Sequence, residues 1–173
     1  SSVYIGLAFA PIINEYQPGL AIEIKYKINS KLSTGLLFIA NSSSQNDTFG
    51  YKVKQPVINV IEVGWLNSFT IIEKKNLILN ASLGNDLTVI RLGDNAEKTT
   101  TFTSKALATT SKEIVSNYYY TISPGLDASV RLYKTLFTSI NIKYREMLGS
   151  PSFTSTSGFN GINYSIGLTF ILE

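Results

Sequence analysis

The side chains of this 173-residue chain best placed to do chemistry are charged ones set at alternate positions. Glu23, Lys25 and Lys27 alternate in one stretch, and Lys143 and Arg145 in another. Asp127 and Arg131 share one parity in a third stretch, and Glu62 stands in a fourth. In an extended chain that spacing collects them on one face. Both signs are present, so the set can pair where water is excluded. Nothing among them marks a reaction centre. The chain has no histidine, which removes the usual general base for a serine nucleophile. Ser104-Lys105 and Ser111-Lys112 supply the residue types of a Ser–Lys site. Both pairs lie in a Thr/Ser/Lys-rich stretch and read as ordinary polar loop residues. Without cysteine there is neither a disulfide framework nor a Cys-bound metal. Asp47, Asp86 and Asp94 are isolated, and no carboxylates stand at metal-ligand spacing. Gly-rich phosphate loops and nucleotide fingerprints are absent, so no cofactor is expected. A formal net charge of +3 implies no nucleic-acid partner. Asn41-Ser42-Ser43 and Asn46-Asp47-Thr48 match a glycosylation sequon by chance. Tyr118-Tyr119-Tyr120 reads as an aromatic edge with Tyr119 turned inward.

The elements that must carry these residues are strands. Tyr, Phe, Thr, Ser, Asn and Ile are abundant, and no apolar run approaches the roughly 18 residues of a membrane helix. Residues 1–173 are expected to form one domain. Val3 to Ala10 alternates, and turn residues Asn14 to Gly19 lead to Leu20 to Ile28. Asn29-Ser30-Lys31 turns the chain into Leu32 to Ala40. A polar stretch, Asn41 to Gln55, precedes Val57 to Ile72, and Glu73 to Asn76 turns into Leu77 to about Arg91. The longest polar segment, Leu92 to Ser116, is expected to be a loop. Asn117 to Leu132, a turn at Tyr133-Lys134-Thr135, and Leu136 to Met147 follow. Leu148 to Asn160 is a further loop before the last strand, Gly161 to Leu172. Connections after strands two, four and six are short; those after three, five and seven are long. That asymmetry predicts an up-and-down antiparallel barrel of eight strands with its tight turns at one rim.

Two barrels share this alternation. In a soluble lipocalin-like carrier the apolar set points inward; in a transmembrane β-barrel it points outward. Leu20, Ile22, Ile24, Tyr26 and Ile28 form an uncharged face, as do Tyr118, Tyr120, Ile122, Pro124, Leu126, Ala128, Val130 and Leu132. Leu136, Thr138, Ile140, Ile142 and Tyr144 form another. The opposite faces carry Gly6, Ala8, Gly35, Gly64, Ser82, Gly84, Gly125, Ser129, Ser139 and Gly167 among the charges. Small residues suit a narrow interior. Glu23, Lys25, Lys27, Glu62, Asp127, Arg131, Lys143 and Arg145 are therefore expected to point inward and pair, with Asp127 facing Asn141 and diagonal to Lys143. Asn59, Asn67, Asn85 and Pro124 fit the outer face poorly, and a bulge beside them would shift the parity.

The last strand adds a second pattern, Ser165-x-Gly167-x-x-Phe170-x-Leu172. It resembles the C-terminal β-signal of bacterial outer-membrane proteins, with Leu172-Glu173 in place of the usual terminal aromatic. With strand number, loop asymmetry and a small polar interior, the whole chain resembles the small outer-membrane barrels of OmpA/OmpX type. The resemblance implies a bacterial outer-membrane location and contact with outer-membrane lipid and lipopolysaccharide. It also implies help from the barrel-assembly machinery during insertion, and possible contact with other outer-membrane proteins. A start at Ser1-Ser2-Val3 is expected of a mature product whose signal peptide is gone, or of a trimmed chain. Some relatives are enzymes, but without histidine a non-catalytic barrel presenting loops is the leading expectation. A lateral subunit of a larger membrane complex is the alternative, and a soluble carrier the third.

Overall fold

The computed structural model describes residues 2–10, 19–103, 106–150 and 159–172. Eight strands run in chain order: β1 (Val3–Ala10), β2 (Gly19–Lys27), β3 (Leu32–Ser44), β4 (Pro56–Lys74), β5 (Leu77–Thr103), β6 (Ala106–Tyr133), β7 (Leu136–Leu148) and β8 (Gly161–Leu172). Each pairs antiparallel with its neighbours, and β8 returns to β1 (Phe9 opposite Ile166, Val3 opposite Leu172), closing the ring. Closure removes the free edges that an open eight-stranded sheet would leave in the barrel wall.

Tight connections follow β2, β4 and β6. The Asn29 side chain takes the N–H groups of Lys31 and Leu32 at 2.9 Å each, which sets the first of them. At the opposite rim the outcome differs from the sequence expectation. The Leu92 to Ser116 segment is not an open loop: β5 and β6 continue as a paired hairpin to Thr103 opposite Ala106. Its threonines favour strand over coil. The Asn41 to Gln55 stretch likewise begins as strand, with β3 paired to Ser44. Ser104-Lys105, Asn14 to Pro18, and residues 151–158 of the last loop lie outside the described residues.

Alternation puts apolar side chains outside. Leu7, Ile24, Leu36, Val63, Leu87, Leu126, Ile140 and Leu168 are all exposed, Leu87 by 67%. At about 3.3 Å per residue and a tilt near 40°, the span from Ile162 to Leu172 rises about 25 Å along the barrel axis. Pro124 needs no bulge: β6–β7 pairing skips Ser123 and Pro124 and resumes at Gly125–Lys143 in the same register. The bulges lie elsewhere, at Thr70/Ile72, at Arg131/Tyr133, and twice in the β5–β6 extension.

Candidate functional site

The interior is built from the inward parity of all eight strands. Near the loop rim, Val53, Ile58, Val60, Ile90, Leu92, Tyr119, Met147 and Phe159 form an apolar plug. Ile78, Phe137 and Ile171, with Tyr4 against them, form a smaller one at the turn rim. Charge is held between the two. Lys143 Nζ bonds Glu23 Oε1 at 3.1 Å, and Lys25 Nζ lies 3.2 Å from Glu23 Oε2. One carboxylate on β2 thus serves cations from β2 and β7. A second centre joins Arg145 to Glu62, each 2% exposed. Thr88 donates to Glu62 at 3.0 Å and shares a 2.7 Å hydroxyl contact with Thr121. Hydroxyls and amides fill the remaining space: Ser129 to Ser139 at 2.9 Å, Ser139 to Thr169 at 2.7 Å, and Asn141 Nδ2 to Ser165 Oγ at 2.9 Å. This layer holds cavities of about 40 Å³ beside Glu23 and Arg145 and about 30 Å³ beside Asp127. Each has room for one or two waters.

No protein-family model and no curated protein sequence matches the chain. Solved structures do. A major outer membrane protein from Thermus thermophilus aligns over 99% of this chain and 100% of its own, at 11% identity and a TM-score of 0.64. Ail of Yersinia pestis, solved in complex with the heparin analogue sucrose octasulfate, aligns over 99% and 97% at 11% identity and a TM-score of 0.55. The N-terminal barrel domain of Pseudomonas aeruginosa OprF aligns over 99% and 97% at 12% identity and a TM-score of 0.51. The fold is that of the small outer-membrane β-barrels. At such identities the likeness carries architecture, and the site must be read from this barrel's own residues.

Of the charges expected inside, the barrel brings Glu23, Lys25 and Lys143 into one group and Glu62 and Arg145 into another. Three depart from the expectation. Lys27 sits at the turn rim and bonds both oxygens of Glu73, at 2.8 and 2.9 Å, outside the interior groups. Arg131 is exposed and stacks 5.1 Å from the Phe137 ring centroid with no carboxylate partner among the described residues. It lies beside a bulge at the rim, where its side chain is open to solvent. Asp127 is 2% exposed and faces Asn141 in register, yet neither carboxylate oxygen has a hydrogen-bond partner among the described residues. Its diagonal neighbour Lys143 is held by Glu23 instead.

The isolated aspartates prove different from one another. Asp86 is buried inside, bonded by Ser123 at 3.2 Å. A Cβ at Gly64 would stand only 1.8 Å from Asp86 Oδ1, so glycine there makes room for the carboxylate. Parity was the available signal, since Asp86 shares it with Ser82 and Gly84. Asp94 is also buried, and accepts the N–H groups of Lys54 at 2.9 Å, Gln55 at 3.0 Å and Ala96 at 3.0 Å. Those N–H groups, Lys54's foremost, hold its carboxyl below the usual aspartate range. Asp94 thereby pins the β3–β4 loop to β5; it is not a free loop residue. Asp47 caps the N–H of Phe49 at 2.8 Å.

On the belt, Asn67 and Asn85 find hydrogen-bond partners on adjacent strands, while Asn59 lines a groove at the loop rim. Trp65 Nε1 donates to Thr34 Oγ1 at 2.7 Å, and Thr34 donates to Asn67 at 2.8 Å. Tyr120 donates to Asn85 at 3.0 Å. The terminal pattern splits by parity. Ser165 and Gly167 face inward, while Phe170 and Leu172 lie on the belt. A Cβ at Gly167 would come within 2.2 Å of Leu7 O and 2.5 Å of Ala8 Cα, so this glycine permits the close β8–β1 seam.

Proposed function

We propose that the chain is an integral β-barrel of the bacterial outer membrane, without catalytic activity, whose lumen is closed and whose loop rim makes the contacts with the surroundings. The observation that carries this is the inside-out distribution of side chains. An apolar belt faces outward, and paired charges are buried between two apolar plugs. In water that arrangement would expose the apolar area and bury the ions, losing on both counts. In a bilayer both terms reverse. Cavities sized for single waters support a filled interior rather than a channel. Hydrogen bonding within the Thr34–Asn67–Trp65 and Asn85–Tyr120 groups favours lipid over a docked lateral subunit.

Surface contact has a place to occur. A groove of about 930 Å³ opens at the loop rim, lined by Ser42, Ser44, Asn59, Arg91, Asn95 and Lys112 among others, and its hydrogen-bonding walls suit lipopolysaccharide or another polar surface partner. Ser165, Gly167, Phe170 and Leu172 serve as the signal read by the assembly machinery. The test places single cysteines at Ile24, Ile140 and Leu168 in the reconstituted protein. Slow reaction with a water-soluble maleimide at all three is expected, with no conductance of porin size. Rapid labelling at all three would overturn the membrane reading, and a porin-sized conductance would overturn the closed lumen.

A further inference from the structure

The two rims differ in charge. At the turn rim stand Lys27, Lys31, Lys74, Lys75, Arg131 and Lys134, against Glu73 as the only carboxylate among the described residues there. Glu73 is taken by Lys27, which leaves the other cations without a carboxylate partner among the described residues. At the loop rim the charges balance: Arg91 lies 3.6 Å from Glu113, and Lys112 bonds Glu97 at 2.8 Å.

The position of the turn-rim cations matters as much as their sign. The apolar belt runs right up to the tight turns, since Ile28, Leu32, Phe69, Ile72, Leu77 and Tyr133 are all exposed. Lys31 is adjacent in sequence to Leu32, and Lys134 to Tyr133. Lys31 Nζ stands 6.0 Å from the Phe69 ring centroid, and Lys134 Nζ 5.2 Å from that of Tyr133. Both rings are exposed on the outer wall, so these two ammonium groups are drawn to the lipid side of the rim. Lys74, Lys75, Arg131 and Lys134 also border a basin of about 380 Å³ whose lining includes Ile78, Phe137 and Ile171.

We propose that the turn rim is a binding surface for anionic phospholipid, its lysines holding the phosphates of headgroups in the leaflet it faces. The inference rests on the membrane reading above and adds a partner at the rim opposite the loops. With the belt immersed, the cations stand at headgroup depth without further movement. Compact ammonium groups on flexible stems can follow mobile phosphates, and each favours an anionic surface. Free glycerophosphate offers the same phosphate chemistry but lacks the acyl chains that the adjoining belt would seat.

The experiment reconstitutes the folded barrel in vesicles of phosphatidylcholine and measures its association with spin-labelled phosphatidylglycerol relative to spin-labelled phosphatidylcholine. Heat-modifiable gel mobility first establishes insertion; failure to insert strikes the membrane reading itself, before the rim is tested. With insertion established, a preference for phosphatidylglycerol of roughly fivefold is expected at low salt, equivalent to about one effective basic side chain. It should fall toward unity in 1 M NaCl and in a variant combining Lys31→Gln, Lys74→Gln, Lys75→Gln and Lys134→Gln. It should persist in the loop-rim variant Lys52→Gln/Lys54→Gln. Equal association of the two lipids with the inserted wild-type protein overturns the proposal, as does a preference that survives in the turn-rim variant. Loss of preference to millimolar glycerophosphate, at an ionic strength where NaCl has no effect, would assign the rim to a soluble phosphate and overturn the lipid proposal.

Discussion

Replacing Glu62 by Gln isolates Arg145 inside the barrel. The guanidinium would remain with a side chain 2% exposed, its bonded carboxylate gone, Thr88 at 3.4 Å still in hydrogen-bond range, and Asp86 acting on it only through space. Burial this complete calls for no discount for surface screening, so the cost falls in the range for an uncompensated buried charge, about 3–5 kcal/mol. With a urea slope near 2 kcal/mol per molar, that lowers the unfolding midpoint by about 2 M. The assay is reversible urea unfolding in detergent micelles, followed by gel mobility. Arg145→Gln should cost a comparable amount by stranding Glu62. Glu62→Gln/Arg145→Gln removes both charges and should recover much of the loss, with a coupling of about 2–3 kcal/mol. Two results would refute the reasoning: an unchanged midpoint for Glu62→Gln, or a double variant as unstable as the sum of the singles.

The other expectations follow from the same interior and its rims. Asp127→Asn removes a buried charge that has no bonded partner, so its midpoint should shift far less than that of Glu62→Gln; an equal drop would mean Asp127 is paired in solution. Gly167→Val should abolish the heat-modifiable folded form by forcing the β8–β1 seam apart, whereas Gly6→Ala, whose Cβ would first meet Thr169 Oγ1 at 3.5 Å, should fold. Equal folding yields would refute the seam argument. The Asp94 carboxyl is held below its ordinary value of about 3.9, so its contribution is complete above that pH and lost as pH falls through the lower folded-state value. Hydrogen exchange at the Lys54, Gln55 and Ala96 amides should accelerate in Asp94→Asn at neutral pH beyond its rate in the wild type, and matching rates would remove Asp94 from this role.

Strand parity was legible because its period is two and both faces are constrained, one by lipid-sized apolar groups and one by a crowded interior. That reasoning also makes Asn67 and Asn85 outward residues, with partners on the adjacent strand in place of a bulge. Strand ends were less legible. Thr- and Ser-rich sequence is equally at home in a polar loop and in a paired hairpin projecting beyond the belt. The β5–β6 extension is the second of these, and exchanging Asp94 to Lys112 for a short turn would cut both strands and remove the clamp on Lys54 and Gln55.

The pairing of the interior charges was not legible, for a geometric reason. Alternation tells which residues point inward but not their height along the axis, and in a closed barrel the stagger of successive strands sets that height. Glu23 on β2 meets Lys143 on β7, and Glu62 on β4 meets Arg145 on β7, across the lumen rather than along a ladder. A carboxylate finds whichever cation the stagger brings level with it. That is why Asp127, directly beside β7 in the ladder, makes no hydrogen bond to a charge among the described residues while Glu23, on a strand that does not pair with β7, holds Lys143. Neighbour-by-neighbour reasoning succeeds on the belt, where Thr34 and Asn67 are ladder partners, and along β2, where Glu23 meets Lys25, but not for the interior inter-strand ion pairs, which span the lumen.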